Sequence, residues 1–157
     1  MSDGIRPGEV AVTPPASFDA GVYFIGRLHT PWMLRSDCPK KGDPDNGPVC
    51  WAEVDPVWQD ALTGLDGKTK LQVLYWMHEA RRDLVLQSPR HGATMGTFAL
   101  RSPVRPNPIA SSVVTLLGIE GNRLMLRGLD CLDGTPLIDL KPEFGASSCP
   151  AVSPSSR

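Results

Sequence analysis

One segment of ten residues combines three prolines with two arginines and an asparagine, a composition that folding alone does not require. It runs from Leu100 to Ile109 and reads LRSPVRPNPI. Proline fixes φ and removes a backbone donor, so we predict a rigid extended segment that is neither a helix nor a central strand. Such a segment can hold Arg105 and Asn107 as fixed donors toward a polar ligand. An ordinary proline-rich loop with solvated arginines is the alternative interpretation.

A second segment places three aspartates within an apolar stretch, GLDCLDGTPLIDLKP, over residues 128–142. A carboxylate in such a stretch is costly unless it is hydrogen-bonded or solvated. Asp133 precedes a glycine, as is typical of a turn, and Asp130 is also able to cap that turn. Asp139 and Lys141 are two residues apart on a predicted strand, so they share a face and can form a surface ion pair.

The histidines and cysteines do not form a metal-binding pattern. The four cysteines are widely spaced and include no CxxC pair, so we expect reduced thiols, with a disulfide as the alternative. The string HEARR, which begins at His78, lacks the second histidine of a zinc-protease helix. We therefore expect no bound metal.

Positive charge is concentrated in one part of the chain, although the formal net charge of the whole chain is -1. Between Arg81 and Arg127 there are seven arginines and only two acidic residues, which is a local net charge of +5. One explanation is a solvated charged face. The other is a localised field for an anionic ligand or a phosphate backbone.

The elements that must position these residues are predicted to be mainly β-strands. The 157 residues fit one domain, and 15 glycines with 16 prolines favour turns and short strands. The residues 71–77 are almost continuously apolar, which is typical of a strand buried on both faces. Gly121-Asn122 is typical of a hairpin turn, and Asp55-Pro56 begins the one convincing helix. Many short strands favour a closed β-barrel, which removes exposed edges. The predicted strands cover residues 21–26, 50–54, 71–77, 95–100, 112–119, 123–129 and 136–140.

The ends of the chain differ in composition from its middle. We expect a flexible lead over residues 1–19, a β-barrel domain over 20–144 and a Ser/Pro-rich tail over 145–157. No stretch approaches the roughly 20 apolar residues that span a bilayer. The N-terminus shows no charged region followed by an apolar one, so we expect a cytoplasmic protein.

The two segments, together with IGRLHTPW from Ile25, resemble the TsaA-like family, the tRNA methyltransferase O group. The strings RSPxRPNPI and GLDxLDGTPLIDLKP are long and unusual, and the resemblance runs from about Val22 to Pro142. It implies an all-β, single-barrel homodimer and not a Rossmann methyltransferase, in agreement with the lack of a Gly-rich strand-to-helix turn. It also implies an enzyme that uses S-adenosyl-L-methionine to N6-methylate threonylcarbamoyladenosine at position 37, in the anticodon loop of tRNA.

The resemblance further implies where the cofactor is held. The expected cofactor contacts are Pro39, Lys40, Lys41, His78, Glu79, Arg101, Val113, Leu129, Asp130, Cys131 and Leu132. Our hypothesis for the substrate contacts names Arg105, Asn107, Asp139 and Lys141, because an arginine can pair bidentately with the threonyl carboxylate. Methyl transfer from a sulfonium is a direct displacement that needs no covalent nucleophile, so no catalytic residue is assigned at this point.

Some positions depart from the usual family pattern. Lys40-Lys41 replace Arg-Gln, Glu79 replaces Gln and Ala110 replaces Gly. Longer members continue into a small C-terminal domain, whereas this sequence runs into Ser- and Pro-rich residues. Two alternatives therefore stand beside tRNA methylation. One is a methyltransferase of the same fold that acts on a small molecule, and the other is a non-catalytic barrel that binds the cofactor as a sensor or interaction module.

Overall fold

Alternating apolar and polar residues build the strands of this protein. The structure is a computed structural model that describes residues 4–144, and these residues contain nine strands and three short 3₁₀ helices. The strands are β1 (Val10–Ala11), β2 (Gly26–His29), β3 (Val49–Val54), β4 (Lys70–Trp76), β5 (Leu84–Gln87), β6 (Met95–Gly96), β7 (Ile109–Glu120), β8 (Arg123–Arg127) and β9 (Pro136–Pro142). The 3₁₀ helices are Arg35–Asp37, Pro56–Leu62 and Thr97–Ala99.

Six of the strands form a closed antiparallel barrel in the order β2-β3-β8-β7-β4-β9, with β9 paired back to β2. The predicted β-barrel is thereby confirmed. Its interior is filled by fully buried apolar side chains from several strands, among them Leu28, Ala52, Leu71, Leu124 and Leu126. Closure pairs every barrel strand on both sides, so no barrel edge is left open.

Strand β4 corrects one expectation. The sequence predicts burial on both faces, but the structure buries only the face of Leu71, Val73 and Tyr75 and leaves the alternate residues partly exposed. The barrel has one packed interior, and side chains point to opposite faces along a strand. An apolar residue such as Leu74 therefore lies on the outer face of the barrel.

The β7–β8 hairpin forms where the sequence predicts it. β7 ends at Glu120, β8 begins at Arg123, and these two residues pair across the turn. Gly121 has φ of 61°, which a residue without a side chain adopts at no steric cost.

Other element boundaries differ from the sequence prediction. The strand expected over residues 21–26 begins only at Gly26, and Tyr23 remains exposed against the ring of Trp58. The strand expected over residues 95–100 is only β6, followed at once by a 3₁₀ helix. The helix after Asp55 is present but is 3₁₀, and the Asp55 side chain makes no capping bond.

The N-terminal lead contributes one short strand. Val10–Ala11 pair with β5, and β5 pairs with β6 in a small three-stranded sheet outside the barrel. Glu9 Oε1 accepts a hydrogen bond from the Ser88 amide at 3.1 Å, which adds a second attachment. Residues 1–3 and the expected tail over 145–157 lie outside the described residues. Within residues 4–144, no helix has the length and apolar character needed to cross a membrane.

Candidate functional site

A cleft of about 1230 Å³ opens at one end of the barrel. Four parts of the chain form most of its walls, and they are far apart in the sequence. They are the loop over residues 38–44, the end of β4 with the turn that follows it, the segment from Phe98 to the start of β7, and the loop after β8. The four groups of residues expected to hold a cofactor thus meet in one space.

The loop after β8 is fixed to the end of β2 by short polar contacts. The Thr30 amide donates to Asp133 Oδ1 at 3.0 Å, and the Thr30 hydroxyl donates to the Cys131 carbonyl at 2.7 Å. The Thr135 hydroxyl donates to the Leu132 carbonyl at 2.7 Å. Asp133 therefore organises the turn from within and does not face the cleft, whereas Asp130 lines it.

The loop that carries Lys40 and Lys41 is held against the same segment. At Gly42 a Cβ atom would collide with the Gly128 carbonyl oxygen, so the two backbones approach more closely than a side chain allows. The Thr115 hydroxyl donates to the Pro44 carbonyl at 2.8 Å, which attaches the loop to β7. The two lysines therefore stand at the wall of the cleft on an anchored loop.

A largely buried phenol forms part of the wall of the cleft. Tyr75 is 2% exposed, and its hydroxyl donates to Asp130 Oδ1 and lies 2.8 Å from Ser112 Oγ. Burial raises the pKa of Tyr75, and the neighbouring Asp130 carboxylate raises it further, so the phenol keeps its proton at neutral pH. Sequence reasoning missed Tyr75 and Ser112 as site residues. The one available signal was a hydroxyl-bearing side chain within a largely apolar strand.

The proline-rich segment is neither helix nor strand between residues 101 and 108, as predicted, and it is held by side chains. Arg105 Nη1 donates to the carbonyls of Leu100 and Ser102 at 2.8 and 2.9 Å. Arg82 Nε donates to the Pro106 carbonyl at 2.6 Å, and Arg82 Nη2 donates to Asn107 Oδ1 at 3.3 Å. Arg105 and Asn107 thus stabilise the segment itself.

The structure brings most of the expected cofactor residues together. Ten line the cleft, namely Pro39, Lys40, Lys41, His78, Glu79, Arg101, Val113, Asp130, Cys131 and Leu132. The exception is Leu129, which is 1% exposed and belongs to the barrel core.

The expected substrate residues are more dispersed. Arg105 lines the cleft, but Asn107, Asp139 and Lys141 do not. Lys141 Nζ lies 3.2 Å from Asp139 Oδ2 in an exposed ion pair, as the strand periodicity predicts. This pair lies on β9, whose residues do not line the cleft.

The lining of the cleft combines positive charge with an apolar wall. Six cationic side chains and two carboxylates contribute to it, namely Arg35, Lys40, Lys41, Lys70, Arg101, Arg105, Glu79 and Asp130. The apolar part comes from Met77, Phe98, Leu100, Ile109 and Val113. This combination suits a ligand that carries both an apolar ring system and charged groups.

The arginine-rich window is not a continuous ligand surface. Six of its seven arginines contact other groups of the chain, namely Arg81, Arg82, Arg101, Arg105, Arg123 and Arg127. Arg123, for example, stacks over the Trp51 ring at 4.6 Å. The cationic character of the cleft therefore comes partly from Arg35, Lys40, Lys41 and Lys70, which lie outside that window.

The described cysteines and acidic groups form no metal centre. Within residues 4–144, no group of three or more His, Cys, Asp and Glu side chains is arranged to hold a metal ion. Cys38, Cys50 and Cys131 are free thiols. Burial raises the pKa of Cys131 to about 12 and that of Cys50 to about 11, so both thiols are protonated at neutral pH.

The sequence of this chain matches a known protein family and is similar to individual proteins of several organisms. The family model described as the tRNA-methyltransferase O N-terminal domain matches residues 27–147. The chain is 48% identical over 147 residues to the "Probable S-adenosyl-L-methionine-binding protein VirR" of Rhizobium radiobacter, covering 93% of this chain and 83% of that protein. It is 38% identical over 121 residues to a "Probable S-adenosyl-L-methionine-binding protein" of Methanothermobacter thermautotrophicus, covering 76% of this chain and 87% of that protein.

The fold is also similar to solved structures. The crystal structure of TrmO from Pseudomonas aeruginosa superposes with a TM-score of 0.69 at 32% sequence identity. The match covers 87% of this chain and 61% of the crystallised chain, so this chain spans about three fifths of that protein. The similarity therefore concerns the barrel and its cleft.

Proposed function

Because the chain belongs to the family of the tRNA-methyltransferase O N-terminal domain, we propose that it is an S-adenosyl-L-methionine-dependent methyltransferase. Its proposed substrate is threonylcarbamoyladenosine at position 37 of tRNA, which it methylates at N6 as a cytoplasmic homodimer. The observation that carries the proposal is the cleft, where ten of the eleven expected cofactor residues lie together. The names of the similar proteins support the choice of cofactor.

The side chains of the cleft suit the chemical groups of S-adenosyl-L-methionine. The apolar wall of Phe98, Leu100 and Val113 suits an adenine ring. Lys40 and Lys41 suit the methionyl carboxylate, and the two carboxylates of the cleft suit the ammonium and sulfonium charges. Lys41 and Glu79 stand where the family usually has glutamine, so both positions can make charged contacts here.

The bound cofactor supplies a methyl group on a positively charged sulfur. The protein contributes orientation, since direct displacement needs the nucleophile and the methyl carbon in line. The anchored loops serve this purpose. Gly42 lies against the Gly128 carbonyl, and Thr30 fixes the Cys131 carbonyl, so the walls are preorganised before a ligand enters.

The proposed nucleic-acid contacts come from cations at the cleft. Arg35 and Lys70 line it and are not among the expected cofactor contacts, and such side chains neutralise phosphates with a strong dependence on salt. Affinity for tRNA should accordingly fall steeply as salt is added.

The experiment that tests the proposal is methyl incorporation. Purified protein is mixed with labelled S-adenosyl-L-methionine and bulk tRNA from cells without this activity, and the nucleosides are then separated and identified by mass. We expect label in methylated threonylcarbamoyladenosine. Lys41→Ala should weaken cofactor binding by about tenfold, the loss of one charge-assisted contact, whereas the control Lys68→Ala removes a lysine outside this cleft and should not.

Two results would contradict the proposal. If the protein binds the cofactor but tRNA stays unlabelled, it is a cofactor-binding module. If the methyl group is transferred to a small acceptor instead, it is a small-molecule methyltransferase. A small-molecule methyltransferase is favoured by one observation, namely that most arginines of the +5 window contact their own chain. A shallow dependence of tRNA affinity on salt would favour it further.

A further inference from the structure

A phenol, a hydroxyl and a carboxylate meet at the inner wall of the cleft, although they come from three parts of the chain. Tyr75 lies on β4, Ser112 on β7 and Asp130 in the loop after β8. The Tyr75 hydroxyl donates to Asp130 Oδ1 and lies 2.8 Å from Ser112 Oγ. All three residues border the cleft, and Tyr75 is only 2% exposed, so the Asp130 carboxylate is held from its buried side and presented to a ligand.

The direction of the hydrogen bond follows from the surroundings of the phenol. Burial and the adjacent carboxylate both raise the pKa of Tyr75, so its proton stays on the phenol oxygen. An ionised carboxylate only accepts hydrogen bonds, and here one acceptor position is occupied by a fixed donor. The carboxylate is therefore oriented before a substrate N–H arrives, which is the arrangement that general base catalysis requires.

We infer that Asp130 accepts the proton that the target nitrogen loses during methyl transfer, and that Tyr75 and Ser112 are positioning residues for its carboxylate. This inference rests on the proposed function. It assigns a role in proton transfer to a residue that the resemblance places only among the cofactor contacts.

The step is balanced in atoms and charge. The nitrogen lone pair forms the new N–C bond, and the electron pair of the breaking C–S bond returns to sulfur, which becomes a neutral thioether. The electron pair of the N–H bond stays on nitrogen, and the proton passes to the Asp130 carboxylate. One positive and one negative charge disappear together, so the step creates no net charge.

The substrate class follows from this balance. The acceptor must be a nitrogen that still carries hydrogen and whose N–H can point at Asp130. The exocyclic nitrogen of a purine, substituted or not, meets this requirement, whereas a ring nitrogen without hydrogen does not. Carboxylates are natural acceptors for exocyclic N–H groups of bases.

The first test compares Asp130→Asn with the unchanged protein. Asparagine keeps the size of the side chain and an oxygen that accepts from Tyr75, but it takes up no proton. We expect kcat for methyl transfer to fall by about 10²- to 10⁴-fold. The Kd for S-adenosyl-L-methionine, measured by calorimetry, should rise by no more than about tenfold, the loss of one charged contact, so the fall in kcat should exceed the loss of cofactor affinity. Asp60→Asn, an exposed aspartate on a 3₁₀ helix, is the control and should retain the full rate.

The second test removes the positioning contact. Tyr75→Phe deletes one oxygen from a buried ring, and we expect a loss of about tenfold in kcat with unchanged cofactor affinity. Tyr23→Phe is the matched control, because Tyr23 is exposed, packs against Trp58 and does not line the cleft. Chemical rescue separates proton transfer from structure. Added formate should accelerate Asp130→Ala several-fold and leave the unchanged protein unaffected.

Each outcome decides the inference. Full activity of Asp130→Asn, or a parallel loss of cofactor binding and kcat, would overturn it and leave Asp130 as a cofactor contact only. Failure of formate to rescue Asp130→Ala would also overturn it. An unchanged protein that binds cofactor but methylates no nitrogen would instead overturn the proposed function, and this inference with it.

Discussion

The free thiols illustrate how strongly the surroundings of one residue decide its chemistry. Cys131 and Cys50 are both 1% exposed, and burial raises the pKa of Cys131 to about 12 and that of Cys50 to about 11. Cys38 is partly exposed at the cleft, and burial also raises its pKa, with the Asp130 charge as the next cause. The thiolate is the nucleophile, so the three side chains should react at different rates.

We expect iodoacetamide at pH 8 to alkylate Cys38 while Cys50 and Cys131 stay unmodified. A pKa of 12 leaves roughly one thiolate in 10⁴ at that pH, in addition to the loss of access. Bound S-adenosyl-L-homocysteine should slow the reaction of Cys38, since this residue lines the proposed cofactor site. Mass spectrometry of tryptic peptides measures the extent of alkylation of each of the three cysteines, and alkylation of the protein in denaturant is the control. Rapid native modification of Cys131 would contradict this account.

At the scale of elements, the proline-rich segment shows that an arginine can stabilise a loop as well as recognise a ligand. The sequence led us to expect that Arg105 contacts substrate. In the structure its Nη1 donates to the carbonyls of Leu100 and Ser102, the two residues that flank Arg101. Arg105 thus fixes the position of an expected cofactor contact.

Arg105→Ala distinguishes the two roles. If the arginine mainly holds the segment, cofactor affinity and methyl transfer should fall together, by about tenfold. A pure substrate contact would instead lower transfer and leave the Kd of the cofactor unchanged. Calorimetry measures the Kd of the cofactor, and a transfer assay on the same preparation measures the rate of methyl transfer. Arg90→Ala, which changes an exposed arginine of the same basic window, is the control and should change neither.

At the scale of the molecule, the closed barrel is the support on which the cleft is built. Leu126 on β8 is fully buried in the core, beside strands that carry the loops of the cleft. Loss of packing here leaves a cavity, because the neighbouring strands are paired on both sides and can relax only partly.

We therefore expect Leu126→Ala to lower the free energy of unfolding by about 2–5 kcal/mol. Urea denaturation followed by circular dichroism measures this change. Val57 is 79% exposed, so Val57→Ala should alter the stability by no more than about 0.5 kcal/mol. Equal effects of the two substitutions would contradict the assignment of the core.

Local signals in the sequence predicted much of the fold. Three elements can be predicted from residues that are neighbours in the sequence, and each appears within a few positions of where it is expected. They are the Gly121-Asn122 hairpin, the alternating strand β3 and the strand around Leu71. The Asp139–Lys141 pair follows from strand periodicity in the same way. Boundaries were less predictable. Residues 21–25 have a β-type composition but remain outside β2, because a strand forms only where another strand lies alongside to pair with it.

What the sequence by itself determined is the β-rich class, the turns and, through its two unusual segments, the resemblance that implies the cofactor residues. Only the tertiary structure decided which of these share a space. Leu129 turns into the core while its neighbour Asp130 faces the cleft, and Arg105 bonds to its own loop. Tyr75 reaches Asp130 across 55 residues of chain. Such contacts depend on barrel closure, which sets distances that no local pattern encodes.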